Sequence, residues 1–324
     1  MKNLSLLSVI FLFACNQPPK KENSQQPDAP KVSPTAYAIG GGNKVVFLTD
    51  YYADYLKSVK AGIKNHDSLY RMKIQYPICN KYFSTCEWAQ LISYSFYYPM
   101  QDTTGLEAEL ATIDNNKEKI EKTISSTLAD CNKYLKNDSI TVYVQPFEGG
   151  YMKNILKRMG GITAVTGGSK QVMLTIDPEV NIWSDKIADC IAHEFNHTYW
   201  TKMNFRNPGN KWNMLNYLVF EGRADAYAHF IYPAVLAPMD TALTEQQKTD
   251  LWARIKPELN NEDMTFQRKV MFGSLEDKVN YPLWGGYCLG FAIVESALKN
   301  NPKLTPEEWT NTAPEKILEM SDYK

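Results

Sequence analysis

Histidine is scarce in this chain, with four among 324 residues. An excess of charge of one sign is also missing, because Lys and Arg nearly balance Asp and Glu and leave a net charge of −1. Without a basic stripe or an acidic block, nucleic-acid partners are not expected. After Ala14, no segment holds the roughly 18 uncharged apolar residues that a membrane-spanning helix needs. The body of the chain is therefore expected to fold in water.

The longest apolar run stands at the N-terminus. Lys2 precedes apolar residues 4–13, and the run ends in Leu12-Phe13-Ala14-Cys15. This pattern is typical of a secretion signal, and its end resembles a bacterial lipobox with Cys15 as the acylated first residue. An ordinary signal peptide is the alternative. Residues 15–43 are rich in Pro, Gln, Lys and Ser and predict a disordered tether. We therefore expect a protein of the bacterial cell envelope, at the outer membrane or periplasmic face, held to the membrane by lipid alone.

Cysteine is sparse as well, with five cysteines after Cys15. Export from the cytoplasm permits disulfides, and Cys79 with Cys86 is the nearest pair for one. The odd number leaves at least one thiol outside any internal pair.

Two of the four histidines stand in His193-Glu194-Phe195-Asn196-His197, inside a run whose apolar residues recur at helical spacing. Positions four apart share one face of a helix, so both imidazoles can reach one metal ion. Glu194 points about 100° away from His193, where it can act on a metal-activated water without becoming a ligand. The pattern predicts a zinc site with His193 and His197 as ligands and Glu194 as general base. An incidental histidine pair on a surface helix is the alternative.

The best candidate for a third ligand is Glu221. It follows the apolar residues 217–220, so we expect burial, where an unpaired carboxylate is costly. Asp225 lies one turn later on the same face and suits the outer shell, accepting the free ring N–H of a ligand histidine. Glu221 as a helix cap or ion-pair partner is the alternative. His229 could replace Glu221 as the third ligand or polarise the carbonyl of the substrate. A structural histidine with neither role is the alternative. The ligand types favour zinc and leave iron and manganese open.

Together, the His193 to His197 motif and Glu221-Gly222-Arg223-Ala224-Asp225 resemble the gluzincin metallopeptidases. In that clan a Glu on a second helix completes the zinc site, and an Asp four residues later supports a ligand histidine. The Glu-Gly-x-Ala-Asp form is most similar to the YjaZ-like predicted Zn-dependent proteases, over about residues 140–297. The resemblance implies a zincin-like fold and hydrolysis of a peptide or protein substrate.

The YjaZ-like proteins also have a segment similar to Gly286-Tyr287-Cys288-Leu289-Gly290. If this segment folds over the metal, Tyr287 can donate its hydroxyl to the developing oxyanion. Tyr281 is the second candidate for this role. Simple packing is the alternative for both tyrosines.

The spacing of apolar residues predicts an α+β fold that is mostly helical. The resemblance to zincins implies that a small mixed sheet packs on the motif helix. The predicted helices cover 51–64, with Asp50 as a possible N-cap, 106–135, 187–200 and 212–230; the predicted strands cover 140–145, 162–166 and 171–176. By likeness to zincins, Ile162–Thr166 is a candidate edge strand that pairs with extended substrate, although an ordinary internal strand is an equal alternative. We expect a signal peptide at 1–14, a tether at 15–43, a mostly helical region at 44–138 and a zincin-like region at 139–324.

The function predicted from the sequence is that of a zinc-dependent metallopeptidase. The competing prediction is a non-catalytic envelope lipoprotein that keeps a metallopeptidase-like fold as a scaffold. Glycan hydrolysis by the carboxylates of Glu221 and Asp225 fits less well, because both share their helix face with the two imidazoles.

Overall fold

The structure is a computed structural model, and it describes residues 33–96, 100, 102–147, 153–207, 211–277 and 279–324. The predicted signal peptide, the predicted acylation site Cys15 and the predicted tether up to residue 32 lie outside the described residues. Within the described ranges, no helix is both long and apolar enough to cross a membrane.

The described strands form one mixed five-stranded sheet. They are β1 (Ala36–Ala38), β2 (Lys44–Phe47), β3 (Thr141–Pro146), β4 (Ile162–Thr166) and β5 (Gln171–Ile176). Their order is β1-β2-β3-β5-β4, with β2, β3 and β5 parallel and the two edge strands antiparallel to their neighbours. The predicted mixed α+β architecture is confirmed, and β4 is an edge strand.

Helices pack on both faces of this sheet. The described α-helices are α1 (Thr49–Lys60), α2 (His66–Tyr70), α3 (Tyr76–Ile78), α4 (Ala89–Ser95), α5 (Leu106–Asn115), α6 (Lys117–Cys131), α7 (Lys153–Arg158), α8 (Ile187–Asn204), α9 (Met214–Ile231), α10 (Glu245–Ile255), α11 (Met264–Phe272), α12 (Gly285–Asn300), α13 (Pro306–Asn311) and α14 (Pro314–Met320). Two π-helical turns, Arg71–Gln75 and Cys79–Phe83, flank α3. The candidate site is built from α8, α9 and α12.

The sheet separates two hydrophobic cores, because successive side chains of a strand point to opposite faces. In β3, Val142 and Val144 belong to the larger core, which also contains the buried residues of α6, α8 and α9. Tyr143 belongs to the smaller core, shared with α1 and α2. The sheet also joins β2 to β3 in parallel, so it crosses the boundary that the sequence predicts at residue 139.

Two glycines let α9 and α12 pack with their backbones in contact. A Cβ added to Gly222 would clash with the carbonyl of Gly290, and a Cβ added to Gly290 would clash with the carbonyl of Leu218. This approach of the backbones positions Tyr287 of α12 beside the residues of α9 that carry the candidate ligand.

Several sequence predictions about local structure are wrong in detail. The helix predicted over 106–135 is broken at Asn116, whose backbone leaves the helical region and whose side-chain amide donates to the carbonyl of Thr112. Asp50 does not cap α1, because β2 runs almost directly into a helix that begins at Thr49. The predicted tether also ends earlier than residue 43. Ala36–Ala38 pairs with β2 through its backbone, which needs no large apolar side chains.

No disulfide joins Cys79 and Cys86, the pair that lies nearest in the sequence. None of the five cysteines in the described residues is joined in a disulfide. The Cys86 thiol donates instead to the carbonyl of Phe83, and burial raises its pKa to about 11. Cys86 is therefore a buried thiol that packs in the smaller core.

Candidate metal centre

The motif lies in the middle of α8, as its helical spacing predicts. Ile187, Ile191 and Phe195 are buried in the larger core, which fixes the rotation of the helix. His193 and His197 therefore lie one turn apart on a face that meets α9, and their Nε2 atoms are 3.0 Å from each other.

Helix α9 brings Glu221 to both imidazoles. Its Oε2 lies 3.3 Å from Nε2 of His197 and 3.4 Å from Nε2 of His193. Ligands at about 2.0–2.1 Å from a tetrahedral zinc ion lie about 3.3 Å from one another. The separations of the three donor atoms thus match those of three ligands on one ion, and these residues form a possible metal-binding group.

The charges around the three donors also favour a cation. Burial raises the pKa of Glu221, but the charge of His197 and the hydrogen bonds from both imidazoles outweigh it and lower the pKa to about 2. Burial lowers the pKa of His193, whereas the charge and hydrogen bond of Asp225 bring it well above the ordinary value. Negative charge that favours a proton on an imidazole favours a metal ion at the same place. The donor set therefore fits zinc in both geometry and charge.

The two histidine rings are positioned in different ways. The Nδ1–H of His193 donates to Oδ1 of Asp225 at 2.7 Å, as the sequence predicts for an outer-shell carboxylate. The ring of His197 stacks on the ring of Phe220, with centroids 4.1 Å apart and 16° between the planes. No hydrogen-bond partner of His197 Nδ1 is found among the described residues. Stacking therefore fixes the orientation of the His197 ring, whereas a hydrogen bond to a carboxylate fixes that of His193.

Glu194 is buried beside the histidines, and a residue of the edge strand β4 holds its carboxylate. Thr166, the last residue of β4, donates its hydroxyl to Oε2 of Glu194 at 2.6 Å. The same hydroxyl lies 3.2 Å from the main-chain oxygen of Glu194. This contact leaves Oε1 as the oxygen of the carboxylate that Thr166 does not engage. Sequence analysis gave Thr166 no role of its own.

Tyr287 of α12 lies near the carboxylates of the site. Burial, and after it the charge of Glu221, raises the pKa of its hydroxyl well above the ordinary value. Tyr217, which precedes Glu221 by one turn of α9, is buried and is a further cause of the raised pKa of the Tyr287 hydroxyl. Sequence analysis missed Tyr217, although its position four residues before Glu221 places both on one face of the helix.

The other candidates of the sequence analysis do not join the three donors. Nδ1 of His229 lies 3.3 Å from the carbonyl oxygen of Val235, and the ring of His229 packs against Phe291. Tyr281 packs against Phe266 and under the Nζ of Lys269. Both belong to the packing of the C-terminal helices.

An α+β fold that brings two helical imidazoles, one carboxylate from a second helix and a further glutamate together has the arrangement of a metal-dependent hydrolase. A family model described as "Predicted Zn-dependent protease (DUF2268)" matches residues 120–319, a range that includes all of these side chains. The chain belongs to this family. Comparison with curated proteins and with solved structures gives no match.

Proposed function

We propose that the protein is a zinc-dependent metallopeptidase of the gluzincin type, with a zincin-like fold and similar to the YjaZ-like proteases. The observation that carries this proposal is the convergence of three donor atoms, Nε2 of His193, Nε2 of His197 and Oε2 of Glu221, within 3.0–3.4 Å of one another beside a fourth residue, Glu194. The description of the family supports the class of reaction.

His193, His197 and Glu221 would hold the zinc ion. Bound zinc acts as a Lewis acid that polarises the substrate carbonyl and lowers the pKa of water to about 7. Asp225 keeps Nδ1 of His193 protonated, so that Nε2 presents its lone pair.

Glu194 is the proposed general base. Its Oε2 is engaged by Thr166, so Oε1 accepts the proton from the attacking water and then delivers it to the leaving amine. The hydrogen bond that Thr166 donates holds the carboxylate in one orientation for this transfer.

Tyr287 is proposed to donate a hydrogen bond to the oxyanion that develops on the substrate. The raised pKa of its hydroxyl keeps the donor proton in place at neutral pH. Among the described strands, β4 pairs with β5 alone and lies beside α8. An extended peptide substrate can pair with this edge as an added strand.

The location of the protein is proposed from the N-terminal sequence alone. Signal peptide 1–14 and acylated Cys15 would anchor the chain in the bacterial cell envelope, at the outer membrane or periplasmic face. The following residues would then act as a tether. The substrate is a peptide or protein within reach of that surface.

The experiment compares wild type with Glu194→Gln and the matched control Glu109→Gln, a half-buried glutamate on α5. We expect all three to bind about one zinc ion per chain, measured by elemental analysis. Denatured casein should be cleaved by wild type and Glu109→Gln but not by Glu194→Gln. Equal cleavage by wild type and Glu194→Gln would contradict the mechanism. Zinc binding without any cleavage would favour the scaffold function instead.

A further inference from the structure

Four partly exposed aromatic side chains, Trp88, Trp200, Trp212 and Phe220, form a continuous surface that we name the aromatic wall. Phe220 is at its centre, with ring centroids 4.9 Å from Trp200 and 5.2 Å from Trp212. Trp212 in turn lies 6.4 Å from Trp88. Because Phe220 also stacks on His197, the wall begins in contact with a candidate zinc ligand.

The packing of the fold does not account for this surface. Trp88, Trp200 and Phe220 belong to neither hydrophobic core, and only Trp212 packs against the edge of the larger one. Large aromatic side chains that remain partly exposed next to one another are typical of binding surfaces. The wall continues through Trp88 to Phe205, which is 38% exposed.

Beyond Trp88 the wall reaches an open cavity. The indole Nε1 of Trp88 donates to Thr201 at 3.1 Å. Thr201 and Phe205 line a cavity of about 480 Å³ whose polar groups include Glu87 and Arg206. The charged groups of this cavity thus lie at the far end of the wall, while the part next to His197 is aromatic. A carboxylate placed against that part would lose hydration without gaining a partner.

We propose that the aromatic wall is a substrate subsite that takes a large apolar side chain of the peptide, aromatic or branched aliphatic, at a position next to the bond that is cleaved. The contact between Phe220 and His197 places the occupant beside the metal ligands. This inference rests on the proposed peptidase function, and it adds the class of side chain that the enzyme selects.

The test uses the full chain loaded with zinc and a proteome-derived peptide library, with cleavage sites read by mass spectrometry. We expect Phe, Tyr, Leu or Ile to be enriched at one position adjacent to the cleaved bond. A peptide containing the preferred site and its Phe→Ala analogue then serve as probes. Their binding to the Glu194→Gln protein is measured by calorimetry, a readout that does not depend on turnover.

The variants are Trp200→Ala and the conservative Trp200→Phe. The matched control is Trp252→Ala, because Trp252 is also partly exposed but packs against Tyr323 and is not part of the aromatic wall. In the Glu194→Gln background, the Phe peptide should bind about tenfold more tightly than its Ala analogue. Trp200→Ala should reduce this ratio to about threefold or less, and Trp200→Phe and Trp252→Ala should preserve it.

The outcomes separate this inference from the function on which it rests. Cleavage without an apolar preference, or a Phe-to-Ala ratio that Trp200→Ala leaves unchanged, would overturn the subsite while the peptidase stands. A library that zinc-loaded wild type leaves entirely uncleaved would contradict the peptidase and the subsite together. If no peptide is bound or cleaved, both are wrong.

Discussion

The two sides of the candidate metal centre hold their histidines by opposite means. On the side of His193, the carboxylates of Asp225, Asp189 and Asp240 are buried close together, and we call this group the carboxylate side. On the side of His197, the ring is held by Phe220 and the rest of the aromatic wall. One histidine is fixed by charge and a hydrogen bond, and the other by stacking.

The difference has a physical consequence. A carboxylate that accepts the ring N–H fixes the tautomer and makes the other nitrogen a better ligand, but its own charge must be tolerated in a buried place. Stacking fixes the orientation of a ring without adding charge. The carboxylate side should therefore control metal affinity and pH dependence, and the aromatic side should control the fit of the substrate.

The largest expected effect comes from removing the ligand that both sides share. Glu221→Ala deletes Oε2, which lies within 3.4 Å of both Nε2 atoms. Loss of an outer-shell partner can weaken metal binding by about 100-fold. We expect Glu221→Ala to raise the zinc dissociation constant by more than this, as measured by competition with a chromogenic chelator. Glu295→Ala, a half-buried glutamate on α12, is the matched control and should bind zinc as wild type does.

Asp225→Asn tests the carboxylate side with little change in volume. The amide keeps a polar group near Nδ1 of His193 but removes the charge, so zinc affinity should fall by about 10–100-fold. Asp189→Asn is the control, because Asp189 is buried one turn before His193 but is not among the hydrogen-bond partners of its ring in the described structure. Equal losses in both variants would mean that general negative charge, rather than the Asp225 contact, supports the metal.

Phe220→Leu tests the aromatic side in the same assay. Leucine fills much of the space but cannot stack, and stacking contributes roughly 0.5–1.5 kcal/mol. Zinc affinity should therefore fall by less than about tenfold. A loss larger than that of Asp225→Asn would reverse the comparison between the two sides.

The smallest effect expected is on stability, through Asp240. Burial and the charge of Asp225 raise the pKa of Asp240 to about 9. A carboxyl whose folded pKa is above its unfolded pKa of about 3.9 binds its proton more tightly in the folded state. Its contribution to stability is complete below about pH 4 and is lost as the pH rises toward about 9.

Asp240→Asn should remove this loss, because the amide cannot ionise and can still accept from the backbone N–H of Ala237. The variant should match wild type at about pH 4 and become increasingly more stable than wild type as the pH rises toward about 9. Urea unfolding of the metal-free proteins across this range measures the difference. A constant difference between the two proteins at every pH would show that Asp240 does not titrate as described.

Local spacing was enough to predict those parts of the site that lie within one or two helices. The four-residue interval between His193 and His197 places both on one face of α8, and the same rule relates Glu221 to Asp225 on α9. Strands β4 and β5 have their predicted bounds, because β-branched runs end there at Gly167 and Asp177-Pro178.

The contacts that sequence analysis missed join residues distant in the chain. Thr166 reaches Glu194 across 28 positions, and Trp88 reaches Thr201 across 113. The spacing of apolar residues cannot predict such contacts, because they depend on which strand lies at the edge of the sheet and on how α8 crosses it. The break at Asn116 and the short strand Ala36–Ala38 were missed for a related reason, since backbone and side-chain hydrogen bonds decide them rather than the apolar pattern.

The most direct test of the metal centre is a crystal structure of the zinc-loaded protein with anomalous diffraction measured at the zinc edge. We predict one strong peak at about 2.0–2.2 Å from Nε2 of His193, Nε2 of His197 and a carboxylate oxygen of Glu221. Zinc bound elsewhere, or a Glu221 carboxylate that stays remote from the ion, would contradict the account.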